Sequence, residues 1–139
     1  MSVPFSSQRY EPSIPVLHVR FHRLDGGAQT EKMEAIVDTG ADMTIAPAHL
    51  LDDLGVEGVV DTEILTQWHE HHSVTLYLID LDIEGLRLSG VYVAGDQTAD
   101  EIVLGRNVLN KLTIFFDGPK QQTEILDDPT VKRLRDRRE

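Results

Sequence analysis

One stretch decides the fold: AIVDTGADMT, residues 35–44, which leads from an apolar run into an acidic turn. Asp38 and Gly40 are turn-forming residues, and glycine tolerates backbone angles that other residues resist. Thr39 and Ala41 are small, so they leave the Asp38 carboxylate little covered. The pattern predicts a carboxylate on a tight turn at the end of a strand, with a rigid scaffold behind it. Such a position is typical of a functional group.

Composition limits the class of protein. The 139 residues suit one domain with a buried core, and 40% apolar with 27% charged residues is typical of a globular protein. No run of about 18 apolar residues predicts a membrane span. Residues 1–10 lack a secretory pattern, and the absence of cysteine excludes disulfides and cysteine metal sites. We therefore expect a cytoplasmic protein with no membrane partner.

The charge is unevenly distributed. The net charge is −11, but residues 132–139 hold five basic and two acidic residues, so the preceding chain carries −14. An acidic body argues against nucleic-acid binding, which needs a basic footprint. The basic tail is either a handle for an acidic partner or a solvated, frayed end, helical or not.

Hydrophobic periodicity predicts an all-β chain with about nine short strands and two short helices, which favours a barrel or a sandwich. Residues 1–15 are predicted as an extended arm, residues 16–126 as the domain and residues 127–139 as a charged tail. The predicted helices are residues 48–54 and 106–111. The predicted strands are residues 16–24, 30–37, 43–46, 59–67, 73–83, 86–94, 102–104, 113–116 and 122–126.

A second motif, together with the first, forms a pattern that is specific enough to interpret. Residues 102–109, IVLGRNVL, again lead from an apolar strand into a turn, some 60 residues after the first. The two motifs, with a long hairpin between them, resemble the retropepsin-like aspartic proteases over residues 16–116. The resemblance implies a closed β-barrel-like acid protease fold with a flap hairpin and one or two short helices. It also implies an aspartic endopeptidase that acts on proteins or peptides without metal or cofactor.

The resemblance assigns roles to residues of both motifs. Asp38 matches the catalytic aspartate, and Thr39 matches the threonine whose hydroxyl bonds across a dimer. Gly40 matches the glycine whose carbonyl receives substrate backbone hydrogen bonds. Asp42 and Arg106 match a structural ion pair, which we expect to be buried and to tie the loop to the C-terminal helix.

The flap of the family corresponds to the hairpin at residues 59–81. Ile36 and Met43 are expected to be apolar pocket walls, so the substrate should offer an apolar side chain. The predicted substrate-binding residues are Ala41, Asp42, Met43, Ile64 and Val103.

Counting carboxylates predicts a homodimer. Aspartic protease chemistry needs two carboxyl groups that share a proton. This chain has one Asp-Thr-Gly, since Asp61-Thr62 is followed by Glu63 and Asp117-Gly118 lacks the threonine. The second Asp38 must therefore come from another copy on a two-fold axis. In retroviral members the last strand interleaves with the N-terminus at that interface, whereas here 23 residues follow Phe116.

The hairpin tip departs from the family. Residues 68–72, WHEHH, contain no glycine, although the family's tip is usually glycine-rich. Trp68 is a contact for substrate or partner, or it packs on its own domain. The histidines suit an exposed polar tip better than a metal site, because no second histidine-rich segment offers a third ligand. A catalytically silent dimerisation or peptide-binding module is the alternative function.

Overall fold

A computed structural model describes residues 1–65 and 69–137 of the chain. The described residues form ten strands and three helices, so the nine predicted strands and two predicted helices are each one too few. The strands are β1 (Ser2–Pro4), β2 (Val16–His22), β3 (Met33–Val37), β4 (Thr44–Pro47), β5 (Gly58–Leu65), β6 (His71–Ile83), β7 (Leu86–Asp96), β8 (Ile102–Leu104), β9 (Ile114–Asp117) and β10 (Gln122–Ile125). The helices are α1 (Ala48–Asp53), α2 (Arg106–Leu109) and α3 (Asp128–Asp136).

Six strands close a barrel in the order β2-β3-β8-β4-β7-β6, because β6 pairs back onto β2. The alternation of β2 shows which side chains fill the interior of this barrel. Leu17, Val19 and Phe21 are all buried in the core, whereas the residues between them are half-buried. A strand of period two delivers one face to the interior and leaves the other outside. The predicted all-β closed barrel is confirmed.

The flap hairpin extends one edge of this sheet. β5 pairs only with β6 among the described residues, from Gly58 opposite Tyr77 to Leu65 opposite His71. Most of β5 is exposed, including Val60 at 50%. Part of the predicted tip, with Trp68, lies outside the described residues.

The two ends of the chain form a second, three-stranded sheet in the order β1-β10-β9. The N-terminal arm contributes β1 to this sheet, where Val3 is 4% exposed and pairs with Thr123 in β10. The charged tail contains α3, which begins with an N-cap. Asp127 accepts a hydrogen bond from the Thr130 backbone N–H at 2.8 Å. Among the described residues, no helix has the length and apolar character needed to cross a membrane.

Candidate active site

The Asp38 loop begins where β3 leaves the sheet. β3 runs parallel to β8, with Val37 opposite Leu104, and the Asp38 backbone N–H donates to the Leu104 carbonyl at 3.1 Å. The turn then closes locally: the Gly40 N–H donates to Asp38 Oδ1 at 2.9 Å, and the Ala41 N–H donates to the Asp38 carbonyl at 3.2 Å. These bonds fix the carboxylate on the loop. Asp38 remains exposed at the surface of the single chain.

The start of α2 holds the same loop from the other side. The Arg106 backbone N–H donates to the Ala41 carbonyl at 2.8 Å, and the Asn107 N–H donates to the Asp42 carbonyl at 3.3 Å. The Arg106 guanidinium donates to the Thr39 carbonyl at 2.9 Å and also to the Asp42 carboxylate. The two sequence motifs, separated by about 60 positions, therefore form one structural unit.

The ion pair of Asp42 and Arg106 forms within the chain, but it is not buried. The side chains are 88% and 43% exposed, respectively, so the expectation of burial is wrong for the single chain. Both lie on the outer side of the loop, where water competes for each charge. Exposed ion pairs add little to stability, so the backbone hydrogen bonds of α2 provide most of the clamp.

Two residues that sequence reasoning missed support the loop from below. Thr44 is fully buried, and its hydroxyl donates to Asn107 Oδ1 at 2.8 Å while it accepts from the Gly105 N–H at 3.1 Å. The Thr44 N–H also donates to Asn107 Oδ1, and the Asn107 amide donates to the Tyr92 carbonyl at 2.9 Å. The sequence placed Thr44 at the start of a short strand and Asn107 in a short helix, but it did not show that the two side chains meet.

Replacing Thr44 with valine should lower the free energy of unfolding by about 2 kcal/mol, because the Gly105 N–H and Asn107 Oδ1 lose a buried partner. Valine keeps the shape of threonine, so the effect reports the hydroxyl. Chemical denaturation measures it. Thr62→Val is the matched control, since Thr62 is an exposed strand residue. Equal stability of the two variants would contradict the role of the hydroxyl.

The predicted substrate-binding residues are only partly assembled in one chain. Ala41, Asp42 and Met43 follow Asp38 directly, and Val103 lies on β8 opposite Ile36. Ile64 lies on β5, in the flap hairpin. A cavity of about 380 Å³ involves Ile36, but none of its lining residues belongs to the Asp38 loop. They come from the N-terminal arm, β3, the end of β4, α1 and residues 100–102.

At the tip end of the flap hairpin, His72 contacts Asp96 at the end of β7. His72 Nδ1 lies 3.5 Å from Asp96 Oδ2, and the Thr98 N–H and hydroxyl both donate to Asp96 Oδ1. Burial raises the pKa of Asp96, but these hydrogen bonds from Thr98 and His72 outweigh it and hold the pKa below its ordinary value. Within residues 1–65 and 69–137, no group of three or more acidic or histidine side chains could hold a metal ion.

The fold and the joined loops define the class of single-domain, acid-protease-like proteins. Residues 24–111 match the family model described as "gag-polyprotein putative aspartyl protease", which covers more than half of the chain and both motifs. The chain belongs to this family of retropepsin-like aspartic proteases. No curated protein matches the sequence.

Solved structures share the fold at low sequence identity. A retropepsin-like aspartic protease from Rickettsia conorii is 16% identical with a TM-score of 0.58, and the match covers 90% of both chains. The EIAV protease bound to the inhibitor HBY-793 is 17% identical with a TM-score of 0.51, over 76% of this chain and 93% of the other. The foamy viral protease-reverse transcriptase is 15% identical with a TM-score of 0.54, over 72% of this chain and 12% of the viral one.

Proposed function

We propose that the protein is an aspartic endopeptidase that acts as a homodimer, with Asp38 of each protomer as a catalytic residue. The observation that carries this proposal is the Asp38 loop. Its carboxylate is fixed by the Gly40 N–H at 2.9 Å and by the clamp from α2, yet it stands exposed at the surface. A carboxylate so well fixed and so little covered suits a site completed by a second surface.

The chemistry follows from two such carboxylates about 3 Å apart, which share one proton. The charged carboxylate takes a proton from a water molecule as the water oxygen bonds to the scissile carbonyl carbon. The protonated carboxyl donates its proton to the carbonyl oxygen, which gives a neutral tetrahedral diol. When the diol collapses, one of its hydroxyl groups gives its proton to the charged carboxylate, the C–N bond breaks, and the amine leaves with the proton of the other carboxyl. No covalent intermediate forms with the enzyme.

Neighbouring residues take the roles implied by the family. The Thr39 hydroxyl braces the two loops across the axis, and the Gly40 carbonyl accepts a hydrogen bond from an extended peptide. The Arg106–Asp42 pair holds the loop in place. Ala41, Met43 and Val103 form apolar walls near the carboxylates, and Ile64 adds to them from the flap.

A dimerisation or peptide-binding module without catalysis is the second candidate. It is favoured by the flap, because the predicted tip has no glycine and one of its residues, His72, is held by Asp96. A flap held closed by this contact would retain a bound peptide without cleavage and release. The intact Asp-Thr-Gly turn argues against it, since binding alone needs no paired carboxylates.

Cleavage of a peptide library between about pH 4 and 7 tests the proposal, because the shared proton requires a pH at which one carboxyl of the pair is protonated. The rate per chain should rise with protein concentration until dimers saturate. Light scattering on the same samples gives the dimer fraction. Absence of cleavage of every peptide in a sample that is fully dimeric would favour the binding module. Cleavage by monomers at an undiminished rate would contradict the shared dyad.

A further inference from the structure

A cavity of about 380 Å³ lies between the N-terminal arm and the barrel, and we call it the arm pocket. Gln8, Arg9 and Tyr10 of the arm line one side of it. The other side comes from β3, the end of β4, α1 and residues 100–102. Its volume lies within the range of known ligand sites. Because the arm precedes residues 24–111, which match the family model, the pocket is partly built from residues that the model does not cover.

The barrel side of the arm pocket has an apolar surface. Ile36, Pro47 and Leu50 contribute to it from β3, β4 and α1. Ile36 lies on the same face of β3 as the exposed Glu34, whereas Ala35 between them is fully buried in the core. The pocket therefore lies outside the core, where a ligand can reach it. An apolar surface of this kind packs against the methylene groups of a long, charged side chain.

The charge of the arm pocket is negative. Three carboxylates line it, those of Glu34, Asp100 and Glu101, against one guanidinium, that of Arg9. With histidine counted as neutral, the lining carries a net charge of −2. The body of the protein adds to this field, because residues 1–131 carry −14. Clefts lined by one sign of charge concentrate ligands of the opposite sign, so the pocket favours a cation with an apolar stem.

Arg9 shows how these carboxylates bind a guanidinium. Its Nη2 lies 3.3 Å from Asp100 Oδ2, and its Nη1 lies 3.6 Å from Glu101 Oε1. The Tyr10 hydroxyl also donates to Glu101 Oε1, which ties the arm to this side of the pocket. In the described part of the chain, no group forms a hydrogen bond or ion pair with the Glu34 carboxylate. One guanidinium thus leaves acidic groups free for a second.

We propose that the arm pocket binds an arginine side chain of a peptide substrate, some residues away from the bond that is cleaved. The methylene groups of this arginine pack against Ile36 and Leu50. Its guanidinium donates to Glu34 and to the carboxylate oxygens of residues 100 and 101 that Arg9 leaves free. Arginine is preferred to lysine, because a planar guanidinium can donate to two carboxylates at once.

Strand β3 joins the arm pocket to the Asp38 loop. Glu34 precedes Asp38 by four residues, which is about 13 Å along an extended strand. An extended peptide covers this distance with about four residues. The substrate class is therefore a peptide with an arginine about four residues from the cleaved bond. This assignment of the ligand as a substrate rests on the proposed function, whereas the binding of arginine does not.

Fluorescence anisotropy tests the binding step with a labelled peptide that has one arginine, and with the same peptide in which citrulline replaces it. Citrulline has the shape of arginine without its charge. The Asp38→Asn protein serves as the receptor, so that no peptide is cleaved during the measurement. The arginine peptide should bind about tenfold more tightly, as expected for charge-assisted hydrogen bonds, and added salt should reduce the difference. Equal affinities would overturn the proposal.

Two substitutions at the pocket should change the affinity for the arginine peptide in opposite directions. Glu34→Gln removes a carboxylate that the ligand uses and should weaken binding about fivefold. Arg9→Gln frees the carboxylates of residues 100 and 101 and should strengthen binding by about the same factor. Weaker binding to a folded Arg9→Gln protein would contradict the proposed role of these carboxylates and overturn the proposal.

Glu31→Gln is the matched control for Glu34→Gln. Glu31 is an exposed residue three positions earlier that does not line the pocket. Its replacement makes the same change in net charge and should alter the affinity by less than about twofold, as for an exposed charge outside the site. An equal loss of affinity in both variants would show general attraction to an acidic protein and overturn the site. Circular dichroism confirms that every variant is folded.

Cleavage is read separately from binding, so the two proposals can fail independently. With the wild-type protein, replacing the arginine of a substrate by citrulline should raise KM about tenfold and leave kcat unchanged, because a distant contact binds substrate and transition state alike. Binding that depends on arginine, without cleavage of any peptide, would support the arm pocket and remove the proposed function. Cleavage that depends on Asp38 but not on the arginine would support the function and overturn the arm pocket as a substrate site.

Discussion

Asp38→Asn lowers the rate of peptide cleavage by roughly four orders of magnitude or more while the dimer persists, as expected when one member of a catalytic unit is lost. Asparagine has the shape of aspartate, and its Oδ1 can still accept from the Gly40 N–H, which donates to Asp38 Oδ1 at 2.9 Å in the wild type. The loop should therefore keep its conformation. What disappears is the ability to take a proton from water and to return it to the leaving amine.

The chain offers a closely matched control for this substitution. Asp25 also lies in an exposed turn, and its Oδ1 accepts from the N–H of the glycine two positions later, Gly27, at 2.8 Å. Asp25→Asn makes the same chemical change in the same kind of turn and should leave the cleavage rate within about twofold of the wild type, since it is a surface change. Equal rates in both variants would remove Asp38 from the mechanism.

Mixing protomers shows whether the carboxylates act as a pair. If wild-type and Asp38→Asn chains exchange freely in equal amounts, about a quarter of the dimers carry two aspartates. Cleavage should then fall to about a quarter of that of an all-wild-type sample at the same total concentration, because mixed dimers lack one carboxylate. A fall to only one half would show that each chain acts alone.

Local pattern predicted the strands well, because strand alternation is a property of consecutive residues, whereas the closed barrel was implied by the resemblance. The period of Leu17, Val19 and Phe21 defined a strand and its buried face, and both are observed. The turn at Glu84-Gly85 was equally readable. Both residues have positive φ, at 48° and 86°, as a two-residue hairpin turn requires.

Features that depend on distant partners were not readable in this way. β1 is a three-residue strand whose pairing partner lies about 120 positions away, so residues 1–15 gave no periodic signal. The exposure of Asp42 was mispredicted for a similar reason. A resemblance can name its partner, Arg106, but it cannot show how much of the pair this chain covers. For Thr44, the buried hydroxyl has meaning only beside Asn107 and Gly105.

Gly105 belongs to the second motif because the loops leave no room for a side chain there, and it takes no part in the chemistry. Its φ of −95° is one that any residue adopts, so backbone freedom does not explain the glycine. A Cβ built at this position would lie 2.5 Å from both the backbone carbonyl carbon and the oxygen of Met43. The motif loops cross at this point, and the close approach lets the Gly105 N–H reach the Thr44 hydroxyl. No flexible side chain is available to move aside.

Gly105→Ala should therefore lower the free energy of unfolding by about 3 kcal/mol, at the upper end of the usual cost of overpacking. The matched control is Gly118→Ala, because Gly118 also lacks a positive φ and a Cβ there would meet no atom within 4 Å. Denaturant unfolding compares the two. The alanine at position 105 must push the Met43 backbone away, which moves the segment that carries Asp38, so cleavage should fall even where the variant is fully folded. A Gly105→Ala protein as stable and active as Gly118→Ala would show that the loops are not packed in this way, and that the link between the two motifs is looser than the bonds from α2 imply.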